Sequence, residues 1–230
     1  MSAFADNLQA VRQRIARAAS AAGRDPGSII LLAVSKTKPL ADVLEAVRAG
    51  QTDFGENYVQ EGVDKRLAAG HELPLVWHFI GPLQSNKTRL VAENFDWVHS
   101  IDRLKIAERL SQQRPPHLPP LSVCVQVNVS GEASKSGCSP AAAADLCHAV
   151  AGLPGLRLRG LMAIPEASDD PVAQRQPFRE LRRIYEQLQG EGLALDTLSM
   201  GMSHDLEAAI AEGATLVRVG TALFGERNYA

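Results

Sequence analysis

The sequence predicts an α/β fold, a single (β/α)8 TIM barrel with an extra N-terminal helix. Short apolar runs alternate with helical patterns along the whole chain, which is typical of parallel strands joined by helices. Eight strands are predicted, the first seven each followed by a helix, and a chain of 230 residues suits a barrel of that size. An open doubly wound sheet is less favoured, because no G-x-G-x-x-G motif follows the first strand.

The predicted elements follow one another in a regular order. A leading helix is expected at 4–22. The expected strands are 29–34, 52–55, 75–81, 97–100, 121–129, 156–164, 195–201 and 215–220. The helices between them are expected at 40–49, 58–69, 85–92, 103–113, 140–151, 172–188 and 204–212. The proline-rich segment 114–120 lies between a helix and a strand, so we interpret it as a loop and 1–230 as one domain, with 1–27 packing on the barrel.

The composition argues against several classes of protein. A net charge of -2 gives no bulk positive field that would attract nucleic acid or an anionic membrane. The N-terminal segment is charged throughout, unlike a signal peptide, and no stretch approaches the length of a membrane span. The three cysteines, Cys124, Cys138 and Cys147, form no C-x-x-C pair, so reduced thiols and a cytoplasmic location are expected. No apolar patch demands a dimer, and a monomer is the expectation.

The ends of the predicted strands show where a site would form. In barrels of this kind, active sites lie at the C-terminal ends of the strands. The residues collected there are Lys36, Glu56, Asn57, His78, Gln84, Asn86, His99, Ser100, Asp102, Asn128, Ser130, Lys135, Met162, Ser199, Ser203, Arg218, Gly220 and Thr221. The histidines show neither an H-E-x-x-H nor an H-x-H pattern, so no metal site is predicted.

The last two strands predict a phosphate site. In barrels, phosphate is frequently bound after strands seven and eight. The segment SMGMSHD places Ser203 at the expected N-cap of a helix, and a helix N-terminus attracts anions. The segment RVGTALFG adds Gly220 and Thr221 as a second cradle of backbone and hydroxyl groups. The plainer alternative is that Ser203 only caps its helix and that Gly220 only turns the chain.

Lys36 follows the first apolar strand and predicts an amine at the mouth of the barrel. Partial burial disfavours the charged form of an amine, and a neutral amine can form a Schiff base. A lysine opposite a phosphate site points to pyridoxal 5'-phosphate (PLP), a phosphorylated aldehyde. Arg218 would face the pyridine nitrogen of PLP, where it could not accept a proton. The alternatives are a Lys36 side chain that extends to water and an Arg218 salt bridge at the rim.

Six segments between residues 28 and 227 carry a resemblance to a known family. Their sequences are LLAVSKTKP, FGENYVQE, WHFIGPLQSNK, VNVSGEASKSG, GLMAIP and LSMGMSHDLEAAIAEGATLVRVGTALFG. In these segments the chain resembles the YggS/PROSC family, the pyridoxal phosphate homeostasis proteins. The family is similar in fold to the barrel domain of bacterial alanine racemase and lacks the second domain of that enzyme.

The resemblance implies roles for individual residues. It implies that Lys36 holds PLP as a Schiff base and that Arg218 faces the pyridine nitrogen. It implies that Ser203, Gly220 and Thr221 surround the phosphate, and that Asn57 and His78 line the ring pocket. His204 departs from the family pattern, in which an acidic residue is expected at that position.

Three hypotheses for function remain open at this point. The resemblance implies a protein that holds PLP and delivers it to apo PLP-dependent enzymes, without established catalysis. The second hypothesis is a racemase-like PLP enzyme, which needs a second acid or base opposite the lysine. In alanine racemase a tyrosine of another domain supplies that group, whereas the tyrosines here are Tyr58, Tyr185 and Tyr229 within the barrel chain. The third hypothesis is a Schiff-base aldolase that uses Lys36 without PLP.

Overall fold

The barrel forms as predicted. The computed structural model describes residues 3–70, 72–130 and 136–225, and Lys135 and Tyr229 lie outside these ranges. All neighbouring strands are parallel, and strand order follows chain order around a closed barrel. The strands are β1 (Ile30–Val34), β2 (Asp53–Glu56), β3 (Val76–Phe79), β4 (Trp97–Ile101), β5 (Leu121–Gln126), β6 (Leu156–Met162), β7 (Thr197–Ser199) and β8 (Leu216–Val219). The predicted fold class is therefore confirmed.

Helices connect the strands on the outside of the barrel. They are α1 (Ala3–Ala21), α2 (Leu40–Arg48), α3 (Val59–Ala69), α4 (Thr88–Asn94), α5 (Leu104–Gln113), α6 (Ala143–Ala151), α7 (Pro171–Gly190), α8 (Leu206–Ala211) and α9 (Thr221–Phe224). The short α9 has no counterpart among the predicted helices, because four residues are too few to show a helical period. Among the helices of the described ranges, none is long and apolar enough to cross a membrane.

The two faces of the barrel wall differ in polarity. On β3, the alternate residues Trp77 and Phe79 belong to the main hydrophobic core. The residue between them, His78, is 1% exposed and lies on the opposite face, because side chains alternate along a strand. It bonds to His99 of β4, which in turn bonds to Ser199 of β7. Since β4 and β7 are not neighbours, that second bond crosses the interior of the barrel.

Helix α1 holds the helices that follow the last two strands. Its buried face, with Leu8, Val11 and Ile15 at helical spacing, packs mainly against α8 and α9. Asn7 donates a hydrogen bond of 3.0 Å to the backbone oxygen of Leu223 in α9. α8 and α9 begin where β7 and β8 deliver the chain to the mouth of the barrel. The extra N-terminal helix therefore supports one wall of that mouth.

Candidate functional site

A cavity of about 220 Å³ lies at the C-terminal ends of β1, β7 and β8. Its lining residues are Val34, Lys36, Asn57, Ile80, Ile164, Met202, Ser203, His204, Arg218, Gly220 and Thr221. The volume is below that of pockets for drug-sized ligands and suits a ligand with one small ring. The barrel thus brings together residues that are nearly two hundred positions apart in the sequence.

Of the seven residues to which the resemblance assigns a role in binding, all except His78 line this cavity. His78 lies two residues before Ile80, which does reach the cavity, and both side chains lie on the same side of the strand. One layer of the barrel interior therefore separates His78 from the cavity. Sequence spacing identified the correct strand but not the depth of the residue within the barrel. The predicted contact of His78 with the ligand ring has no support in this geometry.

A tight turn after β1 sets the direction of Lys36. The turn is closed by a hydrogen bond of 3.0 Å from the Lys38 N–H to the Ser35 oxygen. Thr37 has a φ of 63°, and no other non-glycine residue of the described ranges has a positive φ. Its N–H donates a 2.6 Å hydrogen bond to Oε1 of Glu61 on α3. A β-branched residue is strained in this conformation, so the surrounding contacts must hold it there.

A buried group of charges lies directly behind this turn. We call Glu56, Glu61 and Lys65 the carboxylate–lysine cluster. The Lys65 ammonium donates to Oε1 of Glu56 at 2.8 Å and to Oε1 of Glu61 at 2.6 Å. It also donates to the Ser35 oxygen at 2.7 Å, while the Ser35 hydroxyl donates to Oε1 of Glu56 at 2.6 Å. Burial raises the pKa of Glu56, although Lys65 and Ser35 oppose that shift.

Little in the sequence indicates this cluster. Glu61 and Lys65 are four residues apart on a helix, a spacing that normally indicates a surface ion pair. In the structure the Lys65 side chain is 8% exposed and that of Glu56 is fully buried. The unusual feature of the sequence was a lysine on the face of α3 that packs on the barrel. The cluster fixes the Ser35 and Thr37 backbone on both sides of Lys36.

Arg218 forms the floor of the cavity. One terminal nitrogen donates to the backbone oxygen and the hydroxyl of Ser199, at 2.7 and 2.8 Å. The other terminal nitrogen donates to the backbone oxygen of Ala163 at 2.8 Å. Burial lowers the pKa of Arg218 to about 10, so the guanidinium stays charged at neutral pH. These three bonds hold its plane in one orientation between β6, β7 and β8.

The loop after β7 differs from its predicted form. Ser203 is not the N-cap of the next helix, because α8 begins at Leu206 and Asp205 precedes it. The Asp205 carboxylate accepts a hydrogen bond of 2.5 Å from the Met202 N–H, and this closes the loop around Ser203. A side chain at Gly201, with a φ of 95°, would meet Ala209 at 2.6 Å. Ser203 therefore lines the cavity from a tight loop rather than from a helix end.

The loop after β8 leads directly into the short helix α9. Gly220 is the cap residue of α9, and Thr221 is its first residue. The first N–H group of a helix has no partner within the helix, and in α9 it belongs to Thr221, which lines the cavity. A side chain on Gly220 would lie 3.4 Å from Val34 of β1. This is an ordinary van der Waals distance, so the neighbouring strand leaves room for a small side chain at Gly220.

Asn57 offers an unused acceptor to the cavity. Its Oδ1 atom is buried and has no hydrogen-bond partner within the described part of the chain. The Gly81 backbone packs directly against the Asn57 backbone. A Cβ atom added to Gly81 would lie only 2.1 Å from the Asn57 backbone oxygen. Buried polar atoms normally find a partner, so this unpaired acceptor beside the cavity is an unusual feature of the site.

Taken together, these groups define the chemistry that the cavity suits. Arg218 is a fixed cation, and Ser203 and Thr221 supply hydroxyl donors at the opposite wall. Lys36 is half-buried and supplies an amine between them. A fixed cation and several donors favour an anionic ligand, and an amine favours a carbonyl group on that ligand. The residues present therefore fit a phosphorylated aldehyde with one ring.

Comparisons with known proteins agree with this geometry. Residues 6–228 match the family described as "Alanine racemase, N-terminal domain". A "Pyridoxal phosphate homeostasis protein" from Pseudomonas aeruginosa is 63% identical over 229 residues, which cover 100% of this chain and 98% of that protein. The solved structure of PipY from Synechococcus elongatus PCC7942, with PLP bound, is 38% identical with a TM-score of 0.84. The match covers 96% of this chain and 100% of PipY.

A more distant structure identifies the barrel type. Alanine racemase from Clostridium difficile 630 matches 97% of this chain with a TM-score of 0.73, and the match covers 57% of that enzyme. At 15% identity, this likeness concerns the fold alone. The matches to the Pseudomonas protein and to PipY extend over nearly the whole length of both partners. The chain therefore belongs to the family of pyridoxal phosphate homeostasis proteins, which are built on the barrel of alanine racemase.

Proposed function

We propose that this protein binds PLP as a Schiff base on Lys36 and acts in PLP homeostasis without catalysing a reaction of its own. The observation that carries the proposal is the meeting of Lys36, Arg218, Ser203 and Thr221 around one small cavity. The relative from Pseudomonas aeruginosa and the PLP-bound PipY structure support it. When bound, PLP supplies an aldehyde for the lysine amine and a conjugated ring that accepts electrons.

Each lining residue has a defined task in this proposal. The Lys36 amine would hold the aldehyde carbon of PLP, with loss of one water molecule. The hydroxyls of Ser203 and Thr221, with the free N–H groups at the start of α9, bind the phosphate. Arg218 would face the pyridine nitrogen. Since a guanidinium only donates, it could not accept a proton from the ring, and the ring would stay neutral and accept electrons weakly. A weak electron acceptor suits storage of the cofactor better than its use.

A racemase-like enzyme remains the second candidate, and one residue favours it. Of the described residues that line the cavity, His204 is the titratable group other than Lys36 and Arg218. Its side chain is 45% exposed and lies 3.4 Å from Asp205. An exposed imidazole provides weak control over a proton on a bound substrate, because water competes with it. We therefore favour a carrier that is open to apo PLP-dependent enzymes, present in the cytoplasm as a monomer.

Borohydride trapping tests the Schiff base. The protein is incubated with PLP, its absorption spectrum is recorded, and borohydride then reduces any imine to a stable link. We expect mass spectrometry to find the added group on Lys36, and to find none in Lys36→Ala. Lys105→Ala, which removes an exposed lysine on α5, is the matched control and should be labelled like the wild type. Labelling of a different lysine, or no uptake of PLP, would contradict the proposal.

The choice between carrier and enzyme requires a separate assay. The PLP-loaded protein is incubated with single L-amino acids, and the D-isomer is measured over many equivalents of protein. We expect no sustained conversion. Sustained conversion that disappears in His204→Ala would establish the racemase-like alternative and would assign His204 as the second base.

A further inference from the structure

A continuous line of hydrogen bonds, buried except at its outer end at Asp53, joins the cavity to the far end of the barrel. We call Asp53, His78, His99, Ser199 and Arg218 the histidine relay. Arg218 donates to the Ser199 hydroxyl at 2.8 Å, and this hydroxyl lies 2.8 Å from Nδ1 of His99. Nε2 of His99 lies 2.9 Å from Nδ1 of His78, whose Nε2 lies 3.3 Å from Oδ1 of Asp53.

The relay passes through the barrel interior rather than along its wall. Asp53 is the first residue of β2, at the N-terminal end of the barrel, whereas Arg218 faces the cavity at the C-terminal end. His99 and Ser199 are both fully buried, and their bond joins β4 to β7 across the interior. Barrel interiors are ordinarily filled with branched apolar side chains. A row of polar side chains through this interior is therefore unusual and indicates a specific role.

The two ends of the relay fix the direction of every bond in it. Arginine only donates, so Ser199 accepts from Arg218. An ionised carboxylate only accepts, so Nε2 of His78 carries the proton shared with Asp53. A neutral imidazole has one donor and one acceptor nitrogen. His99 must then donate from Nε2 to Nδ1 of His78, and the Ser199 hydroxyl must donate to Nδ1 of His99.

The reverse direction fails at both ends. With protons on Nδ1 of both histidines, Nε2 of His78 would present a lone pair to the Asp53 carboxylate. Ser199 would also have to accept from His99 and Arg218 at once, and its own proton would have no acceptor in the relay. Burial lowers the pKa of both His78 and His99, and this agrees with neutral imidazoles.

We propose that the histidine relay is a one-directional positioning device. In it Asp53, at the far end of the barrel, sets the Nε2–H tautomer of both histidines, and Ser199 holds the Arg218 guanidinium against the ligand ring. The consequence for ligand binding rests on the proposed function, whereas the tautomers and the hold on Arg218 do not. Ser199, His99, His78 and Asp53 are positioning residues, because each acts through Arg218 and none lines the cavity.

Nitrogen-15 NMR of the protein without added PLP tests the direction. We expect both His78 and His99 to carry the proton on Nε2 and to accept at Nδ1. A proton on Nδ1 of either ring in the wild type would overturn the proposal. In Asp53→Asn, the amide can donate as well as accept, so a second tautomer should appear at both histidines. Unchanged single tautomers in that variant would also overturn the role of Asp53.

Ser199→Ala tests the hold on Arg218. The variant removes one of the three bonds to the guanidinium, so its N–H protons should exchange with water faster than in the wild type. Affinity for PLP, measured by absorbance, should fall by about tenfold, because a hydrogen bond to a charged group is lost. If the Arg218 N–H protons exchange with water no faster than in the wild type, Ser199 does not hold Arg218 in place. Faster exchange with unchanged affinity in a protein that does bind PLP would overturn the effect on the ligand.

Ser100→Ala provides the matched control. Ser100 is next to His99 on β4, is 3% exposed, and its hydroxyl has no hydrogen-bond partner among the described residues. The same substitution there should leave the tautomers, the Arg218 exchange and the PLP affinity unchanged. If the wild type takes up no PLP, the proposed function fails, while the NMR and exchange measurements still decide whether the relay exists.

Discussion

The cavity is supported from two sides, and the two supports differ in chemistry. Behind Lys36 the carboxylate–lysine cluster uses buried charges of both signs. Beneath Arg218 the histidine relay uses neutral imidazoles and a hydroxyl, with its only charges at the two ends. The first support fixes a backbone turn, whereas the second fixes a side chain.

The difference follows from what each support must hold. The turn at Lys36 contains a strained threonine, and only strong contacts can keep that conformation. Arg218 is already a buried cation, so a second positive charge beside it would repel it in a medium of low dielectric constant. Neutral histidines avoid that repulsion and still accept and donate. We therefore expect damage to the carboxylate–lysine cluster to lower stability, and damage to the histidine relay to act mainly on the ligand.

Lys65→Met should have the largest effect. Methionine keeps the length of the side chain and removes the charge, which leaves Glu56 fully buried without its cation. Breaking one partner of a buried ion pair destabilises by about 3–5 kcal/mol, and we expect a loss in that range in urea unfolding at neutral pH. Arg89→Met breaks an exposed pair of 3.7 Å on α4 and should change stability by less than about 1 kcal/mol.

The pH dependence of Lys65→Met provides a second check. Burial already raises the pKa of Glu56, and removal of Lys65 should raise it further. A carboxyl group with a raised pKa in the folded state takes up a proton more readily when folded than when unfolded. Its charge therefore weakens the fold as pH rises. Lys65→Met should therefore lower the free energy of unfolding less at mildly acidic pH than at alkaline pH. An equal loss of stability at both pH values would contradict this account of the cluster.

Most of the fold could be predicted from the sequence, because each strand and helix is determined by residues that are close together in the chain. Each apolar run is long enough to form one strand, and each strand is followed by a helical pattern, so the order of elements determines a barrel. The positions of Lys36 and Arg218 at strand ends then place both at one mouth. That argument depends only on which end of a strand a residue occupies.

The rest of the site depends on contacts between distant residues. His99 and Ser199 are one hundred positions apart and meet only because the barrel closes. The depth of His78 below the cavity depends on how the strands are staggered, which a single sequence does not reveal. The N-cap prediction for Ser203 was wrong. The Asp205 carboxylate closes the loop that contains Ser203, and α8 begins only after Asp205.

Asp53→Asn should have an intermediate effect on stability, and the size of this effect should depend on pH. Burial works to raise the pKa of Asp53, but hydrogen bonds from His78 and Thr52 outweigh it and leave the pKa lowered. A carboxyl with a lowered folded pKa stabilises the fold above its unfolded pKa, and this contribution disappears as pH falls through the folded value.

The measurement compares urea unfolding of wild type and Asp53→Asn from neutral to acidic pH. At neutral pH the variant should be less stable by about 1 kcal/mol, the usual contribution of one hydrogen bond. The two curves should converge below the ordinary aspartate pKa of 3.8, because the wild type then loses the same contribution. Parallel curves would show that Asp53 contributes nothing through its charge, and the two supports would then be less different than we infer.

Thr37→Asn should have the smallest effect on stability. Unlike the variants above, it should stabilise the protein. Thr37 has a φ of 63°, where a β-branched side chain is strained and asparagine is tolerated. Relief of this strain should raise the free energy of unfolding by about 0.5–1 kcal/mol, provided that the Thr37 N–H keeps its bond to Glu61. Thr37→Val preserves the branched shape and should give no gain. A loss of stability in Thr37→Asn would mean that the threonine side chain itself stabilises the turn. Lys36 would then be held by the turn as well as by the carboxylate–lysine cluster behind it.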